Sequence, residues 1–463
     1  MPPASRAARR VLPLALLSAV LAVPTAASAQ PSSASQGSRL AQPSPVPVTG
    51  HSDLGDWASG VPLVTSGGSA LASPGATSSA EAAAADLTSS IATKLATRAK
   101  DTRLGTAWSG QVVDLGTGKA LWSKNVSTAR LPASNQKLVT AYVAMKSLGG
   151  SATLTTPVLQ GYTYKSSIYL KGVGDPSLTS ARLKTVANTA ASALKTQGIT
   201  VVDVFADDSL FPAPTNATGW KADWVPKEVA PVRALVVDQV NVMDTSLAGA
   251  QVFAAQLEAA GVSVRYVRRG VVEGGSTVLG STTSPTIGSM VQVMLNVSHN
   301  DYAESLYRLA ALKRGYAADW AGAKANALNV LGRYGVYRTG LSFYDGSGLS
   351  RSDRMPVTTA LYLLKRMRLQ TDVNPVVFAS TGMPVAGVSG TLEDRFVTTP
   401  TSCAKGIVRA KTGTLDDVVT LSGIAQGKDG RERLFSILVN ANTATTSART
   451  AVDALAATAT GCY

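Results

Sequence analysis

Ser134 and Lys137 stand three apart in residues 131–141 (LPASNQKLVTA), just after Pro132 and at the start of what reads as a helix. One helical turn puts both side chains on the same face, within reach of each other. The chemistry this permits is nucleophilic acyl transfer. A serine hydroxyl attacks poorly until a base takes its proton, and a lysine amine serves as that base once burial or a neighbouring cation lowers its pKa. The helix N-terminus adds backbone N–H groups and positive potential where an oxyanion would form. On its own, Ser-x-x-Lys is a weak signal, and a helix-capping serine is the better reading of it. The only histidines are His51, in a stretch rich in Ser, Pro and Gly, and His299, which nearly excludes a Ser-His-Asp triad. Two cysteines and two histidines are not expected to build a structural zinc site, so neither a metal nor a cofactor is expected.

The company of this pair changes the balance. Ser298, His299 and Asn300 (in NVSHNDYAESL) come just before a helical run, and Lys411, Thr412 and Gly413 (in RAKTGTLDDV) come at the end of a strand. Ser-x-x-Lys, Ser-x-Asn and Lys-Thr-Gly in this order are the signature of serine β-lactamases and penicillin-binding proteins. Further stretches carry the likeness: PASNQKLVTA, GDPSLT, DDSLF, GW at Trp220, APVRALVVD, DGSGLSR, GTLEDR and AKTGTL followed by LSG. From about Asp101 to the C-terminus the chain resembles the D-alanyl-D-alanine carboxypeptidase/endopeptidase family, the low-molecular-mass class C penicillin-binding proteins, in its actinobacterial type. The insertion between Lys137 and Ser298 looks shorter than in the best-known members, and His299 fills a slot where the family usually has Asp or Asn.

The resemblance implies a role for each matched position. Ser134 attacks the carbonyl of the D-Ala–D-Ala bond, Lys137 is the acylation base, and Ser298 relays a proton to the leaving amine. Asn300 holds Lys137 and the substrate amide. Lys411 places a cation near the terminal carboxylate and helps keep Lys137 neutral. Thr412, Gly413 and Thr414 form the substrate-binding edge, the two threonine hydroxyls binding that carboxylate. Backbone N–H groups of Ser134 and Thr414 make the oxyanion hole. Trp220, Asp223 and Arg351 fall where the family lines the pocket for the third stem-peptide residue; the competing reading is a core tryptophan and two solvated charges. Asp345 with residues 346–348, and Asp175-Pro176, read as turns, and Glu304 as a structural hydrogen-bonding partner. The implied partners are peptidoglycan stem peptides and, as covalent inhibitors, β-lactams. Two alternatives stay open. A β-lactamase is disfavoured because no short loop with a well-placed glutamate lies between the first two motifs. A catalytically inactive wall-binding scaffold is disfavoured by the intact set of motif residues.

Positioning these groups takes a sizeable scaffold. With 463 residues, 45% hydrophobic and 16% charged, the chain has material for one large domain or two. Short strands are expected at 107–113 and 120–122 near one end and at 407–411, 418–425 and 434–440 near the other, with a closing helix at 447–459. The expected fold is therefore α+β, an antiparallel five-stranded sheet built from both chain ends and flanked by helices, and the resemblance implies that it is of serine β-lactamase/DD-transpeptidase type. This main domain takes 84–155 and 282–463, with a smaller α/β domain inserted at 156–281. Residues 30–83, rich in Ser, Pro, Gly, Ala and Thr, read as a flexible linker. Residues 1–29 read as a signal peptide: Arg6, Arg9 and Arg10, then apolar 11–23, then Ala27-Ser28-Ala29 before Gln30. That apolar run reaches about 20 Å as helix, short of the roughly 30 Å of a bilayer. An exported enzyme meets an oxidising compartment, where Cys403 and Cys462 form one disulfide or remain two free thiols. The net charge of +14 points to anionic cell-wall polymers rather than nucleic acid, for which no motif is present, or simply to a solvated basic surface.

Overall fold

The computed structural model describes residues 74–463; the signal-peptide segment 1–29 and linker residues 30–73 lie outside the described residues. The two ends of the chain meet in one antiparallel sheet. Its strands are β1 (Trp108–Asp114), β2 (Ala120–Lys124), β8 (Val408–Leu415), β9 (Val418–Gln426) and β10 (Glu432–Val439), in the order β2-β1-β10-β9-β8. Helices cover both faces, so β1, β9 and β10 are buried along almost their whole length. On one face α1 (Pro74–Arg98) and α10 (Thr445–Ala459) pack over Trp108, Leu421, Phe435 and Ile437. The α1 helix begins inside the segment whose composition suggests linker. On the other face Val113, Ile424 and Leu434 meet a helical layer.

That layer contains α2 (Gln136–Leu148), α5 (Ile287–Asn296), α6 (Asn300–Lys313), α7 (Trp320–Arg333), α8 (Val357–Leu369) and the short α9 (Asn374–Val377). The α2 helix is buried nearly all round, the mark of a central helix. A second sheet uses β3 (Thr155–Gln160), β4 (Ser167–Lys171), β5 (Val201–Asp207), β6 (Ser263–Arg269) and β7 (Thr277–Thr283), in the order β6-β5-β4-β3-β7. Helices α3 (Ser180–Thr196) and α4 (Thr245–Ala259) connect its parallel pairs β4–β5 and β5–β6 and supply its own apolar core. All described residues belong to one compact unit. None of their helices is long and apolar enough to cross a membrane.

Cys403 and Cys462 are joined, tying the tail after α10 to the turn before β8 across a separation of 59 residues. In the chain-entropy picture a loop of that length is worth about 4 kcal/mol to the folded state. The double variant Cys403→Ser with Cys462→Ser is expected to unfold at clearly lower denaturant than wild type. Unreduced wild-type protein should show no alkylatable thiol by mass spectrometry, and two such thiols would refute the pairing.

Candidate active site

The serine sits on a strained turn. Ala133 has φ 45°, in the left-handed region that a residue with a Cβ avoids, and is followed by a 3-10 turn, Ala133–Asn135, that runs into α2. Such a conformation costs about 1 kcal/mol or more and persists where the surroundings fix it. Here they do. Asn135 Nδ2 donates to Lys411 O (3.2 Å) and Thr420 Oγ1 (2.6 Å), and Thr420 Oγ1 donates to Pro132 O (2.9 Å). Gly413 lets β8 come this close, since a Cβ there would collide with Thr420 Oγ1 and lie 3.0 Å from both Pro132 O and Ser134 N. Gly348 is held equally tightly, with φ 84° and no room for a Cβ beside Ala133 O. Sequence expectation put Lys-Thr-Gly at a strand end. It lies inside β8, whose polar threonines and glycine hide the strand pattern, and β8 is the outer strand of the sheet.

Lys137 is fully buried and makes three contacts through Nζ: Ser134 Oγ at 3.0 Å, Asn300 Oδ1 at 2.7 Å and Ser347 O at 2.8 Å. Burial brings its pKa down from 10.5 to about 8, against the opposing pull of Asp345, Glu304 and Asp301. Lys411, also fully buried, donates to Ser298 Oγ (2.9 Å) and to Thr412 O (2.9 Å). Burial, and then repulsion from Lys137, lowers its pKa well below the ordinary value. Ser298 has φ 63°, a second left-handed residue at the site. His299 occupies the N-cap position of α6 without a side-chain capping bond and tilts against Tyr302; burial and Lys137 push its pKa down to about 4, so it is neutral at pH 7. The structure thus brings the five residues together as two contacting sets, Ser134–Lys137–Asn300 and Ser298–Lys411, near enough for Lys137 to repel the charge on Lys411. Asn300 differs from expectation on one side: its Nδ2 donates to Glu228 O (2.7 Å) and so is already engaged without substrate.

The outer residues divide. Thr412 Oγ1 is paired with Thr391 Oγ1 (2.7 Å), and Thr414, exposed, accepts a long bond from Arg449 (3.4 Å). Trp220 donates from Nε1 to Asp345 Oδ2 (2.7 Å) and packs edge-on against Trp320. It braces the Asp345 turn. Asp223 is exposed on the 3-10 turn Ala222–Trp224. Arg351 is not a solvated charge: Nη1 and Nη2 grip the two carboxylate oxygens of Asp417 at 2.5 and 3.1 Å. Beside it Lys221 pairs with Asp416, so two ion pairs face the β8–β9 turn. Asp345 does shape a turn, accepting from Gly348 N and Ser350 N, and Asp175 likewise accepts from Ser177 N. Sequence reasoning missed Ser347, whose backbone carbonyl has no signature, and Asn135, Thr391 and Thr420, whose contacts are all long-range.

A half-buried serine on a helix-entry turn, its lysine partner one turn on, and a second lysine on the edge strand define a serine acyl-transfer site on an α+β scaffold. The scaffold is that of the DD-peptidases. A solved structure of penicillin binding protein 4 (dacB) from Haemophilus influenzae superposes with TM-score 0.67 at 20% identity, over 78% of this chain and 98% of that one. The same protein complexed with a novel β-lactam gives 0.60, over 79% and 99%. In sequence, the D-Ala-D-Ala carboxypeptidase 3 (S13) family profile matches residues 91–249 and 239–460. The chain belongs to that family of serine-type peptidases. It is 31% identical over 394 residues to carboxypeptidase DacB of Mycolicibacterium smegmatis, covering 80% of this chain and 84% of the relative. It is 29% identical to the D-alanyl-D-alanine carboxypeptidase of an Actinomadura species, covering 71% and 77%.

Proposed function

We propose that the chain is an exported serine DD-peptidase that hydrolyses D-Ala–D-Ala peptides of peptidoglycan, crosslinked ones included, through an acyl-enzyme on Ser134, and that β-lactams acylate the same serine. The observation that carries this reading is the 3.0 Å contact between Ser134 Oγ and the amine of a fully buried Lys137 whose pKa is near 8. A base poised near the working pH is what proton abstraction requires.

In this scheme Lys137 takes the Ser134 proton as Oγ attacks the carbonyl. The backbone N–H groups of Ser134 and Thr414 hold the oxyanion, each worth on the order of 3–4 kcal/mol of transition-state stabilisation. The proton passes through Ser298 to the departing D-alanine amine, and water then releases the acyl group. Lys411, with Thr412 and Thr414 and with Gly413 admitting the strand, binds the terminal carboxylate. That carboxylate favours the charged amine and so restores the positive charge that burial of Lys411 opposes. Trp220, Asp223 and Arg351 border the pocket for the third stem residue, where a substrate carboxylate has to compete with Asp417 for Arg351. Removal of the N-terminal segment on export and attraction of the basic surface to anionic wall polymers complete the reading.

The test is a time course of the purified, leaderless protein with benzylpenicillin, followed by intact mass. One long-lived penicillin per chain, on the peptide containing Ser134, is expected. Rapid turnover of the drug would indicate a β-lactamase instead, and no adduct at all would indicate a scaffold.

A further inference from the structure

The two acceptors around Lys137 follow from a proton count. A neutral amine carries two N–H bonds and one lone pair. Asn300 Oδ1 and Ser347 O, at 2.7 and 2.8 Å, accept one N–H each, which leaves the lone pair for Ser134 Oγ at 3.0 Å. Asn300 is fixed on α6, but Ser347 O belongs to a loop and needs an anchor. Glu304 supplies it. One turn beyond Asn300 and fully buried, it accepts the Ser347 N–H on Oε1 (2.8 Å) and the Gly346 N–H on Oε2 (3.0 Å). From the opposite side Thr140 of α2 donates to Gly346 O (2.6 Å). The loop is further pressed between α6 and the nucleophile turn at Gly346 and Gly348.

We propose that Glu304 is a positioning residue for acylation: it clamps the peptide of Gly346 and Ser347 so that the Ser347 carbonyl turns the Lys137 lone pair onto Ser134. This rests on the Ser134–Lys137 reading above. The clamp does for a lysine base what an orienting group does for the histidine of a triad.

The clamp also carries charge. Lys137 is faced by Asp345 from the loop, by Glu304, Asp301 and His299 from α6 and its cap, and by Lys411 from β8. Glu304 is faced by Asp345, Arg308 and Tyr307. Burial, and then Asp345, push the Glu304 pKa up to about 8, so it carries charge only from about that pH upward; there it favours the protonated amine, and removing it lowers the pKa of Lys137.

Acylation by benzylpenicillin of the leaderless chain, wild type, Glu304→Gln and Thr140→Val, measured from about pH 6 to 10, tests this. Glu304→Gln is expected to lose on the order of 10²-fold in rate and to move the acid limb of the profile to lower pH. With a D-Ala–D-Ala peptide, kcat should fall and KM should hold. Thr140→Val, which loosens the same loop but keeps the carboxylate, should show a smaller fall with an unmoved limb. A wild-type rate in Glu304→Gln overturns the proposal, as does a slower rate with an unmoved limb, which would make Glu304 a fold support only. If Glu304→Gln does not fold, Thr140→Val decides, and a wild-type rate there overturns the clamp. Wild-type protein that takes no penicillin on Ser134 refutes the functional reading instead.

Discussion

Ser134→Ala should abolish covalent labelling by a fluorescent penicillin while leaving the protein folded. Among the described residues Ser134 is the one hydroxyl that Lys137 Nζ touches. The neighbouring hydroxyls are engaged elsewhere: Ser298 with Lys411, Thr412 with Thr391, and Thr420 with Pro132. None of them is placed to take over the attack. In serine-triad enzymes removal of the nucleophile costs on the order of 10⁶ in kcat, and a loss below detection is expected here. The alanine removes a single side-chain hydrogen bond and creates almost no void, so stability should change little. The noncovalent site remains, and a penicillin should still compete reversibly with peptide. An adduct that survives on Ser298 would transfer the nucleophile role to that residue.

What the sequence made legible was the material with local signature. The main sheet was readable because β9 and β10 are rich in Val, Leu and Ile and are separated by the turn QGKDGR. The three motifs were readable because each places its residues within one turn or one strand. Contacts across long separations left no such trace. Asn135 to Thr420 spans 285 positions and Lys137 to Ser347 spans 210, and the second of these ends on a backbone oxygen that any residue carries. The left-handed Ala133 and Ser298 were hidden for the same reason: neither residue type advertises positive φ, and only packing fixes it. Arg351 read in sequence as a pocket residue or a solvated charge, and its ion pair was hidden because its partner Asp417 lies 66 residues away on the β8–β9 turn. Trp220 was placed by motif at a substrate pocket, yet its indole N–H is bonded to Asp345, so its contact with substrate is at most through the ring.

Lys137→Ala is the sharper test of mechanism, because it separates the base from the nucleophile. Acylation should slow by about 10²–10⁴-fold, the usual contribution of general-base catalysis, which corresponds to about 3–5.5 kcal/mol of barrier. The protein should also be destabilised, since Asn300 Oδ1 and Ser347 O are left without their buried donor; the rate must therefore be read on protein shown to be folded. The pH profile makes the assignment specific. Lys137 is active as the neutral amine, so the wild-type rate should rise tenfold per pH unit up to about 8 and then level off. Lowering the pKa from 10.5 to about 8 raises the neutral fraction at pH 7 by about 300-fold, which is why burial in the central helix matters to the chemistry. His299 is the alternative base near the site, and its pKa near 4 would put the limb four units lower. A wild-type limb near 8 that vanishes in Lys137→Ala assigns the base to the lysine. A limb near 4, or one near 8 that survives the substitution, would give the proton to another group and leave Lys137 as a support for the turn that carries Ser134.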